Sequence, residues 1–157
     1  MRVDRGFEEL YRSEFQAVFR AVLALCGDRH VAEEATQEAF ARALERWRRL
    51  RDRSWAAAWV TTTAMNAARR SLRRRAVEAK ANPAAVPGEP DSAIDLWRGV
   101  RGLPVRQQEA VVLYYVLDLP VAEVAVAMGC EEGTVKAHLS RARAALRAVL
   151  EEAHDDR

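Results

Sequence analysis

The chain has 157 residues, half of them hydrophobic, with 25 Lys and Arg against 23 Asp and Glu and only 7 glycines and 5 prolines. That length suits one ordinary domain or two small ones, and that apolar content excludes wholesale disorder. No apolar run nears the roughly 20 residues that span a bilayer, and the N-terminus lacks a secretory apolar core, so a cytoplasmic protein without membrane insertion is expected.

Ala, Leu, Arg, Glu and Val dominate, a composition that favours helices, and no alternating β-branched runs appear, so the fold class is read as all-α. Phe7, Leu10, Tyr11, Phe15, Val18, Phe19, Val22 and Leu25 recur at three- and four-residue steps and predict a first helix. Gly27 suits a left-handed C-terminal cap and Asp28 an N-cap for the next helix, expected from about Val31 to Arg49. Its inward positions are Val31, Ala35, Ala39 or Phe40, Ala43, Leu44 and Trp47. Its other face carries Glu33, Glu34, Gln37, Glu38 and Arg42.

Ser54 suits a cap for a third helix running from Trp55 to about Ala81, and three helices with short connections make a small bundle. "ANPAAVPGEPDS" then packs three prolines and a glycine into a short stretch that cannot continue a helix. Residues 82–92 are read as a flexible linker between an N-terminal domain, 1–81, and a C-terminal domain, 93–157.

Beyond the linker, Ile94, Leu96, Trp97, Val100 and Leu103 predict a short helix. "LPVRQQEAVVLYYVLDL" predicts a second, with Pro104 in its first turn and Val111, Val112, Tyr115 and Val116 facing a core. Pro120 opens "VAEVAVAMG", Gly129 closes it, and a last long helix runs to about Ala153. The two small bundles are thus joined by the linker, and the second contains a helix-turn-helix. Ala125 is small where its two helices cross, and Val124, Met128, Val135 and Leu139 pack inward. The outer face presents Lys136, Ala137, Ser140 and Arg141, with Arg143 and Arg147 a turn further on. Such a helix fits the DNA major groove, where Lys and Arg meet guanine acceptors or phosphates, Ser donates or accepts, and an Ala methyl meets thymine.

The net charge of +2 hides an asymmetry. Acid crowds "FEELYRSEF" and "AEEATQEAF" within residues 1–40, and arginine crowds "RALERWRRLRDR" and "ARRSLRRR" within 42–75. A basic block in a near-neutral chain points to one surface for a polyanion and another for a different partner. Cys26 and Cys130 belong to no metal-ligand or CxxC spacing and read as packed residues. His30, His138 and His154 are scattered, and no phosphate-cradling glycine loop exists, so neither an enzyme nor a cofactor or metal is expected.

The stretch from Leu103 to Leu146, with "GTVK" and "RAR" after "VAEVAVAMG", resembles the promoter-reading domain of bacterial sigma factors of the sigma-70 family, extracytoplasmic-function type. "AEEATQEAFARAL" and "AWVTTTAMNAARRSLRRR" resemble the N-terminal domain of the same group, in the same order along the chain. The resemblance implies core RNA polymerase and promoter DNA as partners, and allows an anti-sigma factor as a further one. It implies polymerase docking through Glu34, Gln37, Glu38, Phe40 and Arg42. The minus-ten element, as an opened strand, falls to Arg53, Trp55, Trp59, Asn66, Arg69, Arg70 and Arg73. The duplex minus-thirty-five element falls to Lys136, Ala137, His138, Ser140, Arg141 and Arg143.

Arginine on phosphates, and flat rings and an amide on an unstacked base, suit the opened-strand role; Trp55 and Trp59 fit core packing equally well. Three departures from the family pattern stand out: Glu131 at the cap, Ala137-His138 after the lysine, and Tyr114 where some relatives carry arginine. The competing reading, a stand-alone helix-turn-helix regulator, leaves the acidic second helix and the arginine-rich third without roles.

Overall fold

A computed structural model describes residues 2–51, 54–81 and 95–155, all of them helix, turn or loop, with no strand among them. The chain divides into two compact units, Met1–Asp91 and Ser92–Arg157. The expected linker and Arg53 lie outside the described residues.

In the first unit, α1 (Arg5–Cys26), α2 (Arg29–Glu45) and α4 (Ala56–Ala81) pack on one another, with a one-turn α3 (Trp47–Leu50) between the last two. Gly27 ends α1 at φ 68°, and its N–H reaches the Leu23 carbonyl at 2.8 Å. Asp28 caps α2 by accepting from the Val31 N–H at 3.0 Å. That bond, joined by the Arg75 guanidinium, outweighs partial burial and holds the Asp28 carboxyl below its ordinary value. Arg75 therefore ties the far part of α4 to the start of α2.

The continuous second helix expected to Arg49 is interrupted at Arg46, whose φ of −104° leaves the helical range. The buried stripe nevertheless continues across it from Ala43. Trp47 and Leu50 turn into the core, where Trp47 meets Phe7 edge-on at 5.7 Å, while Leu44 stays exposed instead of facing inward. Phe40 is buried between Tyr11 and Phe15, with ring centroids 5.1 and 5.5 Å away. In α4 the hydroxyls of Thr61, Thr62 and Thr63 bond back to carbonyls one turn earlier, at 2.8, 2.6 and 2.7 Å. Three successive β-branched polar residues thus satisfy themselves inside a helix.

The second unit contains α5 (Asp95–Arg101), α6 (Val105–Val111), α7 (Val121–Met128) and α8 (Glu132–Asp155). Pro104 stands one place before the expected first turn, as the N-cap of α6, with ψ 147°. After Val111 the chain makes a π-helical turn, Val112–Val116, and this corrects the expected core face. The wider turn rotates the following side chains. Leu113 becomes fully buried, Tyr115 is about half exposed and Val116 is half-buried. Val100, Leu103, Val111, Val112, Val124, Met128, Val135, Leu139 and Ala142 complete this core.

Candidate nucleic-acid interfaces

The α7–α8 corner is closed by local chemistry. Gly129 adopts φ 66°, the Cys130 N–H bonds the Ala125 carbonyl at 3.1 Å, and the Gly129 N–H bonds Val126 at 3.2 Å. These two bonds form a Schellman motif, in which glycine relieves the left-handed position. Arg106 of α6 donates to the Met128 carbonyl at 2.5 Å and to the buried Glu109 carboxylate at 2.7 Å. A cation is thereby fixed at the C-terminal, negative end of the α7 dipole, locking the turn ahead of α8. The sequence reading missed this Arg106–Glu109 pair, although its i, i+3 spacing at the start of a helix was visible.

With Val135, Leu139 and Ala142 buried, the opposite side of α8 is turned outward. Lys136, Ser140 and Arg141 are exposed there, and Ala137 is half-buried beside them. His138 sits at the flank, with its Nδ1 buried and without a hydrogen-bond partner among the described residues. Arg143 is exposed but engaged: its Nε donates to the Tyr115 hydroxyl at 2.6 Å, and its guanidinium lies 5.7 Å from that ring. Tyr114 packs at right angles to Tyr115, 4.9 Å between centroids.

In the first unit the exposed face of α2 carries Glu34, Gln37, Glu38 and Arg42. Glu34 lies 3.3 Å from His30, and Glu38 contacts Arg42 at 2.7 Å and Arg70 of α4 at 3.3 Å. Phe40 does not share that face; the aromatic cluster buries it beneath.

Between α2 and α4 lies a polar cleft of about 240 Å³, lined by Arg42, Arg46, Trp59, Thr63, Asn66 and Arg70. Trp59 is half-buried, with the Arg46 guanidinium 5.8 Å from its ring. Asn66 is exposed and accepts from Arg69 at 3.0 Å, and Arg73 donates to the Arg69 carbonyl at 3.4 Å. Trp55 is half-buried in the turn just before α4. A flat ring, a hydroxyl, an amide and three guanidinium groups around one cleft are chemistry for a base and its phosphate. Thr63 and Arg46 were not anticipated. Residues 59, 63, 66 and 70 are spaced as one helical stripe and Arg42 and Arg46 stand four apart, both legible signals, whereas the meeting of the two stripes at one cleft was not.

The family description "Sigma-70 region 2" matches residues 10–77, and "Sigma-70, region 4" matches residues 94–146. The RNA polymerase sigma-E factor of Streptomyces coelicolor is 31% identical over 157 residues, covering 92% of this chain and 85% of that one. The chain belongs to the sigma-70 family, extracytoplasmic-function type. The ECF RNA polymerase sigma factor SigC of Mycobacterium tuberculosis is 31% identical to this sigma factor over 161 residues, with 94% and 84% covered. In fold, the chain resembles the sigma factor RpoE of Bartonella quintana, solved with the anti-sigma factor NepR, at TM-score 0.72 and 23% identity over 94% of this chain and 98% of that one. It also resembles CnrH, solved with the cytosolic domain of CnrY, at TM-score 0.70 and 22% identity over 94% and 89%. No helix among the described residues is long and apolar enough to cross a membrane.

Proposed function

We propose that this chain directs core RNA polymerase to specific promoters and helps open their strands, as a transcription initiation factor of the cytoplasm rather than an enzyme. The observation that carries the reading is the succession of region 2 and region 4 in one short chain. A stand-alone helix-turn-helix regulator accounts for only the second of these.

In this reading residues 1–81 form the polymerase and minus-ten domain. Glu34, Gln37, Glu38 and Arg42 dock the polymerase, and Phe40 supports them from the core. Arg53, Trp55, Trp59, Asn66, Arg69, Arg70 and Arg73 hold the opened strand. Residues 82–92 link this domain to residues 93–157. There Lys136, Ala137, Ser140 and Arg141 read the minus-thirty-five duplex, and His138 and Arg143 touch its flanking phosphates. The exposure of Lys136, Ser140 and Arg141 opposite a buried seam supports the second assignment. The cleft around Trp59 and Asn66 supports the first. The complex of the similarly folded RpoE with NepR supports an anti-sigma factor as a further partner of this chain.

Two modest DNA surfaces suit a subunit. Phosphate neutralisation supplies most DNA affinity, and neither surface carries enough charge to bind tightly alone at physiological salt. Joining both on polymerase raises their effective concentration, and the holoenzyme supplies the few kcal/mol needed to unstack each base. Run-off transcription with core polymerase on a genomic promoter library tests the reading. Transcripts from a defined set of start sites are expected only when the chain is present. Nanomolar promoter binding without polymerase, or unchanged start sites, would contradict it.

A further inference from the structure

The polymerase-facing side of α2 and the cleft meet at one carboxylate. Glu38 is almost half exposed, as are both arginines it contacts, and a single oxygen, Oε1, receives both guanidinium groups. Those arginines, Arg42 and Arg70, are two of the three cations lining the cleft between α2 and α4. A phosphate entering the cleft must therefore compete with an anion that the protein itself supplies. Glu38 also shares the exposed face of α2 with Glu34 and Gln37.

We infer that Glu38 is a positioning residue that occupies Arg70 in the free chain and releases it to the opened strand when a polymerase cation takes its carboxylate. The inference rests on the proposed assignment of the α2 face to polymerase and of the cleft to DNA. Its logic is linkage. If polymerase binds the Glu38 carboxylate and single-stranded DNA binds Arg70, each ligand removes the other's internal competitor, and each raises the other's affinity by the same factor. The factor is small because all three side chains are solvated and exposed ion pairs are weak. The coupling nonetheless acts in the required direction: Arg70 is paired when the subunit is alone and available when it is docked.

The test measures fluorescence anisotropy of a labelled single-stranded oligonucleotide titrated with the full-length chain at low ionic strength, where screening is weakest. Glu38→Gln keeps the size of the side chain and removes its charge. Glu33→Gln removes the same charge from an exposed residue of α2 that does not line the cleft. The expected result is strand affinity about two- to fivefold tighter for Glu38→Gln than for Glu33→Gln. The excess should vanish in an Arg70→Ala background, and also in the complex with core polymerase. Equal effects of the two substitutions, or an excess that survives Arg70→Ala, would overturn the inference and leave the strand-binding assignment standing. Strand binding by the wild type that is indifferent to Arg70→Ala would remove the cleft assignment itself, and the inference with it.

Discussion

The two basic surfaces of this protein are built on opposite plans. In the second unit one helix carries the proposed reader: Lys136, Ser140 and Arg141 point outward with no internal anion paired to them among the described residues, and a Schellman turn and the Arg106–Glu109 pair fix the helix start. In the first unit the cleft needs two helices, and two of its arginines already share a carboxylate. The contrast fits the two states of DNA each surface is proposed to meet. A duplex offers a fixed groove before the protein arrives, and a rigid reader suits it. An unstacked strand exists only after opening has begun, so a site with one arginine held back until docking would waste less affinity on wrong targets.

Several substitutions break or sharpen that comparison. The largest effect is expected from Phe40→Ala, which empties the aromatic cluster under the α2 face and should cost about 3–5 kcal/mol of stability by urea unfolding. Phe40→Leu should retain polymerase binding in a pull-down if Phe40 acts by packing; a loss without destabilisation would restore it to the docking surface.

Next come the readers. Lys136→Ala and Arg141→Ala should each weaken holoenzyme binding to the closed duplex by about 1–3 kcal/mol, with Arg143→Ala milder because Tyr115 already engages it. Trp59→Ala should leave that step alone and cost about 1–3 kcal/mol in binding the opened strand, the worth of one stacked base.

The smallest effect is expected at the α2 cap. Asp28→Ala should destabilise the first unit by about 1 kcal/mol at neutral pH. Because the folded carboxyl titrates below its ordinary value of 3.8, this contribution is present above that value and lost as pH falls through the lower folded-state one. Thermal unfolding of wild type and variant should therefore converge in strong acid; a gap that widened on acidification would contradict the sign.

Much of the helical order was legible because it depends on local chemistry. Gly27, Pro120 and Gly129 mark helix ends by backbone preference and Asp28 by its side-chain cap, and the caps fall where the sequence puts them. The recognition helix was legible for the same reason: its buried seam of Val135 and Leu139 fixes which residues face out. Errors gathered where the helical period changes. The second helix stops at Arg46 rather than Arg49, and the π turn at Val112–Val116 exposes Tyr115 and buries Leu113, since its wider turn rotates the side chains. Neither event has a glycine or proline to announce it; both follow from packing. The cleft was half legible: the α4 stripe is periodic, but Arg42 and Arg46 join it across space. The role of Glu38 depends on a contact between residues 38 and 70, which no local pattern encodes.

The central claim is that two helical units read separate parts of one start site at separate steps. Permanganate footprinting of holoenzyme–promoter complexes, run beside filter binding of the closed complex, measures both steps at once. Asn66→Ala should leave closed-complex affinity near wild type and suppress thymine reactivity in the minus-ten region. Lys136→Ala should lower closed-complex affinity and leave reactivity per bound complex unchanged. If both variants failed at the same step, the division of labour between the units would be contradicted.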